Sequence, residues 1–492
     1  MSTPIPNNRA PFSVGEILAS TGGTLYRLAR SEAVGVGTDT RQDLADKLFV
    51  TLSGPNFDGH AFLEQAVARG AAMLVVATGR GAAAPAGVTV IEVPEPLTAL
   101  GALAAFHRRR FGGRVVAVAG SAGKTSTRST IGRLLEALFP GQVHTTVGNL
   151  NNRIGVPLTL LGLEPHHQLA VVEVGTNCPG EVLDLGRMVA PDVAVLTLID
   201  LEHTEGLADL EGVAREEGAL FETLAGLGVA IGNVDDPLVR QRLEHYAGRR
   251  LGYGESPDAD LRIASRRLLS PKLTQLDLCS KERTWSFETS LFGTPGALAV
   301  AAAALVCEEL APGRLLSAHL EAALNAGAEP GRNSVQVLNQ GRVLLDDTYN
   351  SNPASARQAI FTGEELARLT GGRLWLVLGE MRELGALSVG QHQTLGQVAA
   401  ASSAAGLFAI GEQAEPMMTA ARAGGLAAWH DVDAGAVGSQ LWGRLLPGDV
   451  IVVKASRGVR AERVVQYLLE ADQQTSAGEL AAGRSLSQEA KP

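Results

Sequence analysis

A seven-residue stretch, Gly120-Ser121-Ala122-Gly123-Lys124-Thr125-Ser126, carries the clearest chemistry in the chain. It follows the apolar run Val115 to Ala119 and precedes a helical pattern that reaches about Leu138. A strand that turns through glycines into a helix presents successive backbone N–H groups to an anion, and the helix N-terminus adds positive potential. Lys124 can reach the β- and γ-phosphates of a nucleotide, and the Thr125 hydroxyl can ligate Mg²⁺. Longer loops of this kind have a glycine six residues before the lysine, where Val118 stands here, so this is a contracted form. A second apolar run, Leu169 to Val174, carries Glu173 near its end, just before a glycine turn. A carboxylate there lies at the C-terminal edge of a sheet, where α/β sites are built, and Glu173 is a candidate Mg²⁺ ligand. Between the two, Gly148, Asn149, Asn151 and Asn152 form a polar loop ahead of an apolar helix, by itself no more than a loop and cap. Cys178 sits in the loop after Glu173 without an evident helper histidine and reads as incidental.

The elements that hold these groups alternate between strands and helices. Leu48 to Leu52, Met73 to Ala77 and Val88 to Val93 read as strands, Ala61 to Ala71 as a helix, and Glu95 to Arg110 as a helix ending in a cationic cluster. Phe111-Gly112-Gly113 is a natural boundary. Val193 to Ile199 continues the second unit. The alanine-rich run Ala297 to Cys307 reads as a buried helix whose eleven apolar residues are too few to cross a bilayer. From about Glu329 the pattern restarts with Val343 to Leu345, Leu374 to Leu378, Leu407 to Ile410 and Val450 to Val453, a third α/β unit with a parallel sheet. Beyond Ala471 no periodicity remains, and a solvated tail is expected. The 492 residues suit roughly three domains at about 150 residues each. A hydrophobic share of 45% with only 4% aromatics favours Ala, Leu and Val cores, helices on parallel strands and glycine loops. The formal charge of −10, without a long basic run, argues against nucleic acid as a partner. The opening residues lack the apolar core of a signal peptide, and three scattered cysteines make neither a disulfide framework nor a zinc site. A reducing cytoplasm and no membrane insertion are expected.

Taken in order, several further stretches resemble the Mur ligases, the ATP-dependent amide-forming enzymes of bacterial cell-wall synthesis. They are GTDTR (Gly37 to Arg41), LFVTLSGPNFDGHAF (Leu48 to Phe62), GNLNNRIGVPLTLL (Gly148 to Leu161), DLEHTEG (Asp200 to Gly206), LEGVA (Leu210 to Ala214), DDTYNSNPAS (Asp346 to Ser355), VLGEMRELG (Val377 to Gly385) and VVKASRGVR (Val452 to Arg460). The resemblance covers about residues 15–470. It implies a three-domain α/β fold: residues 1–111 a smaller N-terminal α/β domain for the UDP-linked substrate, 112–328 a central P-loop-type ATPase domain with a mostly parallel sheet, 329–470 a C-terminal Rossmann-like domain, and 471–492 a disordered tail. The likeness is greatest to the member that joins D-alanyl-D-alanine to UDP-N-acetylmuramoyl-tripeptide through an acyl phosphate. ATP and Mg²⁺ are then the implied cofactors, and the enzyme is expected to be a monomer. Gly120 to Ser126, Asn233, Arg332 and Asp347 would hold ATP. Thr125, Glu173 and His203 match the family's metal positions, and Lys124, Glu173 and His203 would be catalytic. Asp39, Thr40, Arg41, Asn149, Asn151 and Asn152 would meet the UDP substrate. Asn350, Asn352, Lys454, Ser456 and Arg457 would serve the dipeptide and domain closure. Lysine and diaminopimelate are equal candidates for the third residue of the peptide.

Two positions depart from the family. Where it has a lysine modified to a carbamate, this chain has Glu217, in AREEGALF. A glutamate carries a carboxylate already, so Glu217, with Glu216 as a neighbour, is expected to act at the metal and in catalysis without CO₂. A solvated helix face is the competing reading of the two glutamates. The second departure is Gly293-Thr294-Pro295-Gly296-Ala297-Leu298-Ala299, where Pro295, Gly296 and Ala299 replace a histidine and two asparagines that help seat the base. Asn233 can supply an amide instead. A ligase with another acceptor or nucleotide, and a binding paralogue without turnover, therefore stand beside the first reading.

Overall fold

A computed structural model describes residues 4–224, 226–325 and 327–489, with side chains through Thr475. Three large sheets follow one another along the chain, beside two two-stranded pairs, Pro11–Ser13 with Glu32–Val34 and Ser53–Gly54 with Phe57–Asp58. The first has five strands. At one edge lies Thr24–Arg27, antiparallel to Thr89–Val93, and the sheet continues in parallel through Met73–Ala77, Leu48–Val50 and Val36–Gly37. The helix Pro96–Arg110, capped by the Glu95 carboxylate, leads out of it. The stretch expected as one helix over Ala61 to Ala71 is a 3₁₀ turn at Gly59–Phe62 and a short helix, Leu63–Ala68.

The nine-stranded central sheet holds the phosphate loop. Arg114–Ala119 lies between Leu169–Glu173 and Val193–Leu196, parallel to both. Val143–Thr145 flanks the first, and Val229–Asn233 then Arg249–Gly254 extend the other side, all parallel. Every residue of Val115 to Ala119 is buried, which explains an unbroken apolar run: helices cover both faces of a parallel sheet. Successive connections leave Arg114–Ala119 first toward one side and then toward the other, so its C-terminal end is a switch point where a crevice opens.

Three long antiparallel strands, Leu261–Ser270, Leu273–Ser280 and Thr284–Thr289, complete this sheet. No sustained apolar period marks them in the sequence. Their signal is short alternation, as in Leu276-Asp277-Leu278, where the leucines are buried and the aspartate is not. The alanine-rich segment is the helix Gly293–Leu310, longer than its apolar run because it begins at Gly293 and continues through Glu308 and Glu309. Its length and composition would suit a bilayer, yet twelve of its residues are buried in the protein, against the helix Lys124–Leu138 and the central sheet.

The third sheet orders its strands Ser334–Val337, Val343–Asp347, Val450–Lys454, Leu374–Gly379, Ala404–Ile410 and Ala428–Asp431, parallel except for the first pair. The expected irregular tail is corrected: one helix, Glu462–Glu489, runs through it. Ala, Glu, Gln and Leu favour a helix without an obvious apolar period. The start of the stretch is also docked, since Asp472 is buried and accepts the Asn339 side-chain N–H at 2.6 Å.

One buried polar contact gives a pH-dependent stability. His144 donates from Nε2 to the Thr159 carbonyl at 2.8 Å, and His167 packs 5.1 Å from its ring. Burial pushes the His144 imidazole down to about 4, and the neighbouring His167 adds to the effect. A folded-state value below the unfolded one means protonation favours unfolding, so stability present above pH 6.5 is lost as pH falls toward 4. Between pH 8 and pH 5 the loss from this group is about 2 kcal/mol. Urea denaturation at both pH values checks it: His144→Gln is expected to flatten the dependence by that amount.

Candidate functional site

Gly120 ends the buried strand with φ +125°, and Gly123 opens the following helix with φ +84°. A side chain on Gly120 would meet the Thr197 hydroxyl and the Leu198 backbone, so both the backbone angle and the space require glycine. Between these turns the loop faces a cavity of about 660 Å³. The lining runs from Ser121 to Thr127, past Glu173, His203 and Asn233, to Arg332, Asp347, Asn350, Asn352 and Lys454. Residues from two sheets far apart in the chain therefore share one chamber.

The cationic centre of the loop is held by acids. Lys124 Nζ lies 3.0 Å from Glu202 Oε1 and 3.9 Å from Glu217 Oε1, and it donates to the Gly120 carbonyl. Burial would push this ammonium down, but Glu202 and Glu217 outweigh it and hold Lys124 above its ordinary value. Glu217 is wholly buried, so the solvated-face reading fails for it. Its Oε2 accepts the Gly120 N–H at 2.7 Å, while Oε1 has no hydrogen-bond partner among the described residues. Burial pushes the Glu217 carboxyl up to about 7, against the pull of Lys124. Glu216 is buried too, but turned elsewhere: it accepts from Gly180 N and Val182 N, each at 2.7 Å, and so ties down the next loop. The two glutamates do separate jobs.

Glu173 sits where its strand ends. Its Oε1 accepts from Thr125 Oγ1 at 3.0 Å and from Asn151 Nδ2 at 2.8 Å. Its buried Oε2 has no hydrogen-bond partner among the described residues and lies 3.5 Å from Arg128 Nε. Asn152 Oδ1 accepts from Ile154 N and Gly155 N and so braces the entry to the helix Gly155–Leu161. Asn149 and Asn151 both line the cavity.

The third sheet brings its own groups to the chamber. Asp347, at the end of Val343–Asp347, accepts from Lys454 Nζ at 2.6 Å and from Asn333 N at 3.1 Å. Lys454 is 2% exposed and donates also to the Asn350 carbonyl. Arg332 lies 3.7 Å above the Tyr349 ring, and Arg457 lies 5.1 Å from the same ring. Asn352 donates from Nδ2 to the Ser121 carbonyl at 3.2 Å, joining the third sheet's first helix to the phosphate loop. Arg357 and Asp200 pair at 2.8 Å across the same seam.

Asp39, Thr40, Arg41 and Ser456 lie outside this chamber. Asp39 and Arg41 pair with each other, and Thr40 donates to Gln65. Ser456 donates to the Ser351 carbonyl at 3.3 Å, which braces the loop ahead of Asn352. His203 lines the cavity but turns Nδ1 to Glu383 Oε2 at 2.5 Å. Burial lowers the His203 imidazole, yet Glu383 and Glu202 carry it above its ordinary value. Thr125, Glu173, His203 and Glu217 do not close into one cage: among the described residues no three His, Cys, Asp or Glu side chains form a ready cation cluster. Sequence reasoning missed Glu202, Arg128 and Glu383 as individual residues. Only Glu202 had a usable signal, a carboxylate next to His203 just past a strand end.

Pro295, Leu298 and Ala299 line the cavity together with Thr294 and Tyr253. This end offers the Asn233 amide. The Asp236 carboxylate beside it is already engaged by Ile199 N, Leu238 N and Val239 N.

Comparison with known proteins agrees with this layout. Residues 32–108 match the catalytic domain of the Mur ligase family, 118–307 the Mur ligase middle domain, and 331–457 the glutamate ligase domain of Mur ligases. The UDP-N-acetylmuramoyl-tripeptide–D-alanyl-D-alanine ligase of Escherichia coli is 35% identical over 445 residues, 88% of this chain and 93% of that protein. The Bacillus subtilis enzyme of the same name is 32% identical, over 93% of this chain and 98% of its own. Among solved structures, MurF from Acinetobacter baumannii superposes with a TM-score of 0.84 at 25% identity, covering 94% of this chain and all of that one. MurF from Thermotoga maritima in complex with ADP gives 0.77 at 25% identity, over 89% and 98%. The chain belongs to the Mur ligase family.

Proposed function

We propose that this chain joins D-alanyl-D-alanine to UDP-N-acetylmuramoyl-tripeptide at the cost of ATP, in the cytoplasm, as a monomer. The observation that carries this reading is the shared chamber. It sets a phosphate loop, Lys124 and Glu173 opposite Arg332, Asp347 and Lys454 from another sheet. In the proposed division of labour, residues 1–111 hold the UDP end through Asp39, Thr40 and Arg41. Residues 112–328 hold the phosphates, and 329–470 close over the nucleotide and bring the dipeptide past Asn350, Asn352, Lys454 and the Ser456-Arg457 pair.

Two chemical steps follow. A carboxylate oxygen of the tripeptide attacks the γ-phosphorus of ATP, the bond to the bridging oxygen breaks, and ADP leaves. The dipeptide amine then attacks the acyl carbon and gives up a proton. Phosphate departs with the electron pair of the carbon–oxygen bond, leaving the amide. Catalysis of this kind is mostly alignment and charge neutralisation. Lys124 and the loop N–H groups bind the transferring phosphoryl group. Asn151, through Glu173, fixes the loop that meets the acyl substrate. Mg²⁺ fits two oxygen donors at the cavity wall, Thr125 Oγ1 and the buried Glu173 Oε2, the latter without a hydrogen-bond partner among the described residues, whereas Glu217 Oε1 faces Lys124. When bound there, it would neutralise phosphate charge, with His203 as a further neighbour.

Phosphate release from ATP with the UDP-tripeptide, measured with and without D-alanyl-D-alanine, tests the reading. Release that depends on the dipeptide supports it. Release only with another amine, or none despite retained binding, overturns it. The seam between sheets gives a second expected result. Asn352 caps its helix through Ser355 N and also donates to Ser121. Asn352→Asp keeps the cap but turns the donor into an acceptor facing a carbonyl. Turnover is expected to fall about tenfold while the melting temperature holds, a split read by steady-state kinetics beside scanning fluorimetry.

A further inference from the structure

The contact between His203 and Glu383 combines unusual features. Both residues hold left-handed backbone conformations, φ +50° for His203 and φ +65° for Glu383, although neither is glycine. Such angles persist only where surrounding structure enforces them, and they cluster where a side chain must be aimed. They meet across the seam between the second and third sheets, Nδ1 to Oε2, at 2.5 Å. The neighbouring residues dock in step. Thr204 Oγ1 donates to the Leu384 carbonyl at 3.0 Å, and Gly385, with φ +52°, packs against Glu205. His203 lines the cavity, whereas the Glu383 side chain is 56% exposed.

An ion pair this exposed adds little to global stability. A carboxylate on one ring nitrogen does something else: it fixes the tautomer and orientation of the imidazole, leaving the other nitrogen aimed. Here the orienting carboxylate belongs to the closing unit, so His203 acquires its orientation only when the third sheet has docked. We propose that Glu383 is a positioning residue that couples closure to the arrangement of His203 in the chamber. The coupling rests on the proposed site but adds a residue and a dependence that the site alone does not require.

The test compares Glu383→Ala and Glu383→Gln with the unaltered enzyme, using ADP and UDP-tripeptide for binding and the full substrates for turnover. In Glu383→Ala, kcat is expected to fall about tenfold with KM for ATP within twofold and the melting temperature unchanged. Glu383→Gln, whose amide oxygen still accepts from Nδ1–H, is expected to recover about half of that loss on a logarithmic scale. Small-angle scattering with ADP and UDP-tripeptide is expected to show less compaction for Glu383→Ala than for the unaltered protein. Unchanged kcat, or equal losses in both variants, overturns the proposal, as does a rise in KM alone or equal compaction. Failure of the functional reading is separate: the unaltered enzyme would then show no dipeptide-dependent release.

Discussion

Lys124→Arg is expected to lower ATP-dependent phosphate release about 10³-fold while the fold survives. The reason lies in how tightly the ammonium is held. Lys124 fits between Glu202 and Glu217 with its Nζ also on the Gly120 carbonyl. A compact, rotatable charge fills that space, whereas a planar guanidinium needs more room and different donor directions. The charge is kept, so the two acids stay neutralised and the protein stays folded; the position of the charge is lost. Lys124→Ala removes both. It leaves two neighbouring buried carboxylates without their cation, which costs about 3 kcal/mol or more in stability in addition to the rate. Phosphate release, thermal denaturation and ADP binding on the two variants separate these effects. Turnover within tenfold in Lys124→Arg counts against a phosphoryl-binding role.

Glu217 gives the second large effect. Glu217→Ala is expected to lower turnover about 10²-fold, because it frees the Gly120 N–H at the start of the loop and leaves Lys124 with fewer acids around it. Glu217→Gln keeps an acceptor for Gly120 and loses the charge. A comparable loss in that variant assigns the effect to charge, and recovery assigns it to the hydrogen bond. Glu217→Lys sets a second cation beside Lys124 unless it is carboxylated, so its residual turnover is expected to rise with added bicarbonate. Measured rates of all three settle the matter; an unchanged rate in Glu217→Ala sinks the catalytic role.

Much of this arrangement was readable from residue order. The strand into Gly120 and the helix out of Lys124 were visible because a fully buried strand is apolar throughout and a phosphate loop needs glycines at set places. The parallel strands of the third sheet were visible for the same reason. The antiparallel extension from Leu261 to Thr289 was not, because its two-residue alternation is broken by irregular pairing between Ile263 and Ser265 and between Leu268 and Ser270. Individual partners were invisible for a different reason. Glu383 meets His203 across 180 positions of chain, and Asn352 meets Ser121 across 231; no local pattern encodes either. The opposite facing of Glu216 and Glu217 follows from helical geometry, since adjacent residues point about 100° apart, but which of them faces the loop depends on the sheet.

Pro295 and Ala299 carry one more consequence. They leave their end of the chamber with apolar walls, beside an Asn233 amide and an aspartate whose oxygens are already engaged. The resemblance to the family implies that the base seats at this end. Apolar walls reject an isostere weakly, since discrimination comes from buried donors and acceptors left unpaired by the wrong ligand. The buried Asn233 amide is then the main polar group left to tell one purine from another, so ATP is expected to be favoured over GTP only modestly, a ratio that competition between the two triphosphates reads.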